Sequence, residues 1–291
     1  MQGIIISNIS NIYEVKNNRY VYKCTAKGKL KKEDIVPAVG DNVIIDVLDE
    51  HNYIGVIKEI KPRINYLKRP KMSNLSQIII VISCKNPKPN LLLLDKQLAF
   101  IEFLKIRPVI ILNKVDLLND EIDKIYEIYT KIGYTVIKTE AKNKKGIDDV
   151  KKILENNISV FSGNSGVGKS TLINAIFQNL IAKEGDISQK NKKGKNTTTA
   201  IKLYELDKNS YIADAPGFST FDINEIPYNE LEKYFIEFNE YIKQCEFVGC
   251  THHKEQVCGI KEALKKGKIS IERYERFIKI YDELKEEESK W

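Results

Sequence analysis

Polar and apolar residues alternate along the first 68 positions in five short runs: GIIISNIS, NIYEVKN, RYVYKCTA, VGDNVIIDVL and YIGVIKEI, punctuated by Gly, Asn and Asp. A period of two puts every second side chain on a buried face. Five such strands in succession predict a small closed β-barrel of the OB type. From Gln77 the pattern changes. IIIVISC, RPVIILNKVDLL and ISVFS are continuous apolar runs, YTVIKTEAK is a further strand, and the stretches LLLLDKQLAFIEFLKI, NDEIDKIYEIYTKIG and GIDDVKKILENN between them have helical spacing. This alternation predicts a mostly parallel sheet covered by helices on both faces. AIKLYEL and NSYIADAPG read as a hairpin, and from about Ile226 the chain reads as helical apart from a group of cysteines. Three domains are expected: a barrel over residues 1–68, an α/β domain over 69–222 and a helical domain over 223–291.

The longest apolar runs, Ile78–Ile82 and Pro108–Leu112, are far shorter than the roughly 20 residues that cross a bilayer. The N-terminus MQGIIISNIS lacks the basic start of a signal peptide. A cytoplasmic monomer without a membrane partner is the expectation. The net charge of +7 is uneven, with 13 Lys and Arg against 8 Asp and Glu in residues 1–75. A basic barrel suits a polyanion such as RNA, and Lys27, Lys29, Lys31 and Lys32 in the loop after the third strand are its candidate contacts.

The chemistry is concentrated in four motifs. GNSGVGKS, Gly163 to Ser170, has the spacing G-x-x-x-x-G-K-S between an apolar strand and a helix. Its glycines turn backbone N–H groups inward to cradle phosphates, and the helix N-terminus completes the anion site. The candidate binding residues run from Ser162 and Gly163 through Asn164, Ser165, Gly166, Val167 and Gly168 to Lys169, Ser170 and Thr171. Lys169 is assigned to the β- and γ-phosphates and Ser170 to Mg²⁺. DAPG places Asp214 within water-bridged reach of that ion and the Gly217 N–H at the γ-phosphate. The lysine-rich stretch between, KNKKGKNTTTA, reads as a switch in which one of Thr197, Thr198 or Thr199 ligates Mg²⁺; Thr198 is the residue assigned.

Asn113, Lys114, Val115 and Asp116 form the fourth motif, NKVD, at the end of an apolar strand. A carboxylate there accepts hydrogen bonds from the N1–H and exocyclic amine of guanine, an arrangement adenine does not offer. TEAK, Thr139 to Lys142, would supply backbone contacts to the base. The motifs run NKVD, TEAK, GNSGVGKS, NTTT, DAPG, whereas an ordinary GTPase starts with the phosphate loop. This is the same cycle opened at another point, which leaves strand pairing unchanged.

In these motifs the chain resembles the ribosome small-subunit-dependent GTPase A family (RsgA, YjeQ or YloQ), circularly permuted GTPases, over nearly its whole length. The resemblance implies slow GTP hydrolysis stimulated by the 30S subunit, binding to 16S rRNA and a role in late subunit maturation, including release of an assembly factor. Members carry a histidine before the switch threonines; Asn196 stands there in this chain, and an amide is no general base at neutral pH. Phe218 follows DAPG where many GTPases place a water-orienting glutamine, so low intrinsic turnover is expected. Competing readings are an RNA-binding scaffold with a structural nucleotide, and a GTPase serving a protein or membrane partner.

CEFVGCTHHKEQVC contains Cys245, Cys250 and Cys258 with two adjacent histidines. Three thiolates and one imidazole make a closed tetrahedral set suited to structural Zn²⁺. Either His252 or His253 could be the fourth ligand, and the family's spacing matches His252.

Overall fold

The computed structural model describes residues 1–28, 36–68, 70–116, 120–184, 201–207, 209–214 and 223–290. Thr197, Thr198, Thr199, Gly217, Asn196, Phe218, Lys29, Lys31 and Lys32 lie outside the described residues.

The barrel strands are β1 (Gln2–Ile9), β2 (Ile12–Lys16), β3 (Val21–Ala26), β4 (Asn42–Asp49) and β5 (Ile54–Ile60). Alternation in the sequence becomes alternation in burial: Tyr22 and Cys24 point inward from β3, while Val21, Lys23 and Thr25 face solvent. The pairing order β1-β2-β3-β5-β4 closes through β4 back onto β1, and β3–β5 is its one parallel pair. Below the barrel a small hairpin, β6 (Tyr66–Leu67) with β7 (Met72–Ser73), leads onward. That hairpin has no clear sequence signal, because two-residue strands carry no period. The junction is tied by the buried Asp41 carboxylate, which accepts from Arg63 Nε at 2.7 Å, Arg63 Nη2 at 2.8 Å and Ser73 Oγ at 2.6 Å. Gly40, at φ +94°, lies so close to this strand that a Cβ would stand 2.1 Å from the Ser73 carbonyl oxygen.

The second sheet contains β8 (Gln77–Ser83), β9 (Arg107–Asn113), β10 (Thr135–Thr139), β11 (Ile158–Ser162), β12 (Lys202–Asp207) and β13 (Ser210–Asp214). Their order is β10-β9-β8-β11-β13-β12, parallel except for the β12–β13 hairpin. Helices α1 (Leu91–Phe103) and α2 (Asp120–Ile132) cover one face, packing Leu94, Leu98, Ile122 and Ile125 with Ile78 and Ile80. Helices α3 (Ile147–Leu154) and α4 (Lys169–Glu184) cover the other, packing Val150, Leu154, Leu172 and Ile176 with Ile79 and Val81. Neighbouring isoleucines on β8 therefore serve opposite layers, which is why the run carries no polar alternation. The barrel joins this sheet edgewise: Ser7 of β1 pairs with Lys202 of β12, and Lys16 forms an ion pair with Glu205.

Beyond residue 222 the chain forms short 3-10 turns between Ile223 and Gln244, then α5 (Gly259–Lys265) and α6 (Ile271–Glu288). The expected helical character holds, but the first third is 3-10 rather than α. Phe235, Phe238, Phe277 and Ile280 form its core, joined by Ala99 and Phe100 of α1. Arg273, 1 % exposed, lies in the same region against the carboxylates of Asp95 on α1 and Glu237. Arg276 also pairs with Asp95, which in addition accepts a 2.6 Å hydrogen bond from Tyr129 Oη on α2. Burial opposes the Arg273 charge, yet the two carboxylates outweigh it and hold the guanidinium well above its ordinary pKa.

Candidate nucleotide site and metal cluster

Parallel strands deliver their carboxyl ends to one edge, and four of these ends carry the sequence motifs. Asn113 ends β9, Thr139 ends β10, Ser162 ends β11 and Asp214 ends β13. Such an edge, where connections diverge, forms a ready crevice. β11, which leads into the phosphate loop, lies between β8 and β13. Of Asp214 only the backbone is described, at the end of β13 opposite Lys202.

Asn113 joins three of the loops. Its Nδ2 donates to the Val167 carbonyl at 2.9 Å, and its Oδ1 accepts from Thr139 Oγ1 at 3.0 Å and from Ala141 N at 3.2 Å. The motif marks Asn113 as a candidate, but no local spacing foretells this three-way tie. Lys114, in the left-handed region at φ +65°, stretches over the loop and donates to the Gly166 carbonyl at 2.8 Å and to the Asn86 carbonyl. Val115 N donates to the Thr139 carbonyl at 3.3 Å, while the Asp116 side chain stays exposed. Next to it the buried Cys84 thiol is pushed up to about 11, by burial first and the Asp116 carboxylate second, so it remains protonated.

Two glycines are required by contact. A Cβ on Gly163 would stand 2.2 Å from the Val81 carbonyl oxygen, and one on Gly168 2.3 Å from Asn113 Nδ2. Their φ values of +139° and +96° disfavour other residues as well. Lys169 folds back so that Nζ donates to the Asn164 carbonyl at 2.9 Å and to the Gly163 carbonyl. Partial burial pulls this ammonium below the ordinary lysine pKa, and an arriving anion would relieve that cost. Ser165, Ser170 and Thr171 are exposed, the last two in the first turn of α4. Concave backbone and a partly buried ammonium therefore lie at the sheet edge where β9 also ends, with the exposed Asp116 carboxylate in the segment that follows β9.

The sequence model of the RsgA GTPase family matches residues 60–224, and that of the RsgA N-terminal domain matches residues 2–57. This chain belongs to the RsgA GTPase family. It is a circularly permuted GTPase with an OB-like barrel and a helical C-terminal module. A small ribosomal subunit biogenesis GTPase RsgA of Clostridium novyi is 43% identical over 285 residues, covering 98% of this chain and 97% of its own. The crystal structure of YjeQ from Thermotoga maritima superposes with a TM-score of 0.84 at 35% identity, covering 97% of this chain and 98% of that one. The structure of YloQ, described as a circularly permuted GTPase, superposes at 0.82 with 32% identity, covering 98% and 95%. Among the described residues of this RsgA-family chain, no helix is long and apolar enough to cross a membrane.

The ligand atoms of Cys245, Cys250, His252 and Cys258 all lie within 4.8 Å of one another. Cys245 Sγ is 4.0 Å from Cys258 Sγ and 3.6 Å from His252 Nδ1, which is 3.3 Å from Cys258 Sγ. A tetrahedral ion bonded to sulfur at about 2.3 Å sets such edges at roughly 3.7 Å, so the four groups fit a metal ion. His252 Nε2 faces the Glu232 carboxylate, and Tyr274 Oη donates to the His252 carbonyl at 2.6 Å. A carboxylate on the far nitrogen fixes the tautomer that leaves Nδ1 free to ligate. His253, the other candidate by position, is partly exposed beside Asp282 and outside the cluster. Glu232 escaped sequence reasoning because it sits in a 3-10 turn with no spacing relation to the cysteines.

Proposed function

We propose that this chain binds GTP across the crevice and hydrolyses it in the service of small ribosomal subunit biogenesis, the role carried in its relatives' names. The observation that carries the reading is the tie through Asn113, which draws the NKVD, TEAK and phosphate loops around one crevice. In it, Asp116 accepts the two guanine N–H groups, Lys114 covers the ring, and Asn113 and Val115 hold the pocket wall. Ser162 to Thr171 wrap the phosphates, with Lys169 leaving its loop carbonyls for the triphosphate charge. Ser170, with Thr198 from outside the described residues, would hold Mg²⁺, which supplies charge neutralisation between the β- and γ-phosphates. Asp214 and Gly217 complete the γ-phosphate side. Phe218 and Asn196 offer no strong base, so unassisted turnover is slow and the attacking water is positioned on the subunit.

Cys245, Cys250, His252 and Cys258 would hold structural Zn²⁺, which supplies cross-links to a module with a small core of its own. The basic barrel contacts rRNA of the 30S subunit, and the protein acts in the cytoplasm as a monomer. GTP turnover measured with and without purified small subunits, at several salt concentrations, tests this. Stimulation that fades as salt rises is expected, because phosphate contacts release counterions. Equal turnover in both arms at every salt would refute the reading.

A further inference from the structure

The barrel carries a second feature at the end opposite residues 61–76, through which the chain passes to the next domain. The loops over residues 17–20 and 50–53 meet there around a concavity of about 550 Å³. Tyr20 and Tyr53 stack in it with ring centroids 5.0 Å apart and planes 24° apart, and remain 45% and 38% exposed. Tyr22, itself buried, meets Tyr53 edge-on at 5.6 Å.

The rings are held in place before any ligand arrives. Asn17 Oδ1 accepts from the backbone amides of Arg19 at 3.0 Å and Tyr20 at 2.9 Å, which fixes the first loop. Asp49 Oδ1 accepts from those of His51 at 2.9 Å and Asn52 at 3.0 Å, which fixes the second. Tyr53 takes φ +53°, an unusual conformation for a bulky residue, and its carbonyl is pinned by Lys23 N at 2.8 Å. The Tyr53 ring packs on Tyr22, and more than a third of the residue stays in solvent despite the strained backbone. Arg19 and Glu50 line the concavity with opposite charges, and the Met1 ammonium, which also lines it, is engaged by the Ile45 carbonyl at 2.7 Å. The flat faces, rather than a phosphate site, are therefore what it presents.

The geometry points to a stacking platform for an unpaired nucleobase of single-stranded RNA, formed by Tyr20 and Tyr53. Aromatic faces fixed on short loops of an OB-like barrel give sequence-tolerant base stacking, while the positive surplus of the barrel keeps the strand near. The inference rests on the RNA-binding reading above, but it locates the contact at the end of the barrel away from residues 61–76.

The test is fluorescence anisotropy of labelled hexa-adenylate with the full chain, adenine being chosen so that a guanine site does not compete. Tyr53→Gly removes the ring and at the same time suits the positive φ, so folding is retained while affinity falls about 5- to 100-fold. Tyr20→Ala falls similarly, Tyr20→Phe and Tyr53→Phe bind as the parent does, and an RNA duplex of equal length competes poorly. Equal affinity of parent and Tyr53→Gly would overturn the platform. Absence of hexa-adenylate binding by the parent would also overturn it, while retained co-sedimentation with small subunits would leave the ribosomal reading standing. If Tyr53→Gly loses co-sedimentation but binds hexa-adenylate normally, the rings serve a protein surface and the RNA assignment fails.

Discussion

The nucleotide crevice and the cysteine cluster are each drawn together from several segments, but by opposite means. In the crevice the backbone carries the arrangement: parallel strands end at one edge, two glycines permit contacts a Cβ would block, and one neutral amide ties the loops. In the C-terminal module side chains carry it, through three thiols, an imidazole and a buried guanidinium between carboxylates. The difference teaches that the crevice is built by the sheet and its backbone turns. The module is built around charged or ligating groups whose burial is costly unless each keeps its partner.

Removing the metal should separate the two regions most sharply. Structural zinc contributes roughly 10–16 kcal/mol in small finger peptides, so chelation or Cys250→Ser is expected to unfold much of residues 223–290 while guanine nucleotide binding survives. Limited proteolysis with and without chelator reads this out, and an unchanged cleavage pattern would mean that packing alone holds the module. Arg273→Met comes next. Loss of one partner from a buried ion-pair group costs about 3–5 kcal/mol, visible as a lowered thermal midpoint with nucleotide affinity kept; a midpoint within a degree of the parent would show that Arg276 alone satisfies Asp95.

Asp116→Asn should leave stability alone, since the side chain is exposed. It should weaken GTP by roughly ten- to a hundredfold for each charge-assisted hydrogen bond lost and improve binding of xanthine nucleotides. A competition assay that still ranks GTP first by its original margin would remove Asp116 from the base pocket. The smallest effect is expected from Glu232→Gln. A carboxylate behind a ligating histidine is worth about 10–100-fold in metal affinity, measurable by competition with a chromogenic chelator. No change there would make Glu232 a packing residue.

How far these features were legible in the sequence follows from how local they are. The barrel strands and the alternating core strands could be read from periodicity, because burial on one face or on two leaves different patterns in contiguous residues. The 3-10 turns between Ile223 and Gln244 could not, since their apolar residues follow no single period and are placed by packing on α1. Nor could the ion pair that fastens the last domain to α1, because Arg273 and Asp95 lie far apart along the chain.

By itself the sequence determined the family and the candidate chemistry, because the GNSGVGKS, NKVD and cysteine motifs are each encoded within a few neighbouring residues. It also determined that the cycle of motifs is opened at an unusual place. Only the tertiary structure decided that Asn113 reaches Val167, that Glu232 stands behind His252, and that Asp95 meets Arg273 from 178 positions away. Such contacts depend on how helices and strands pack, and no local spacing records that.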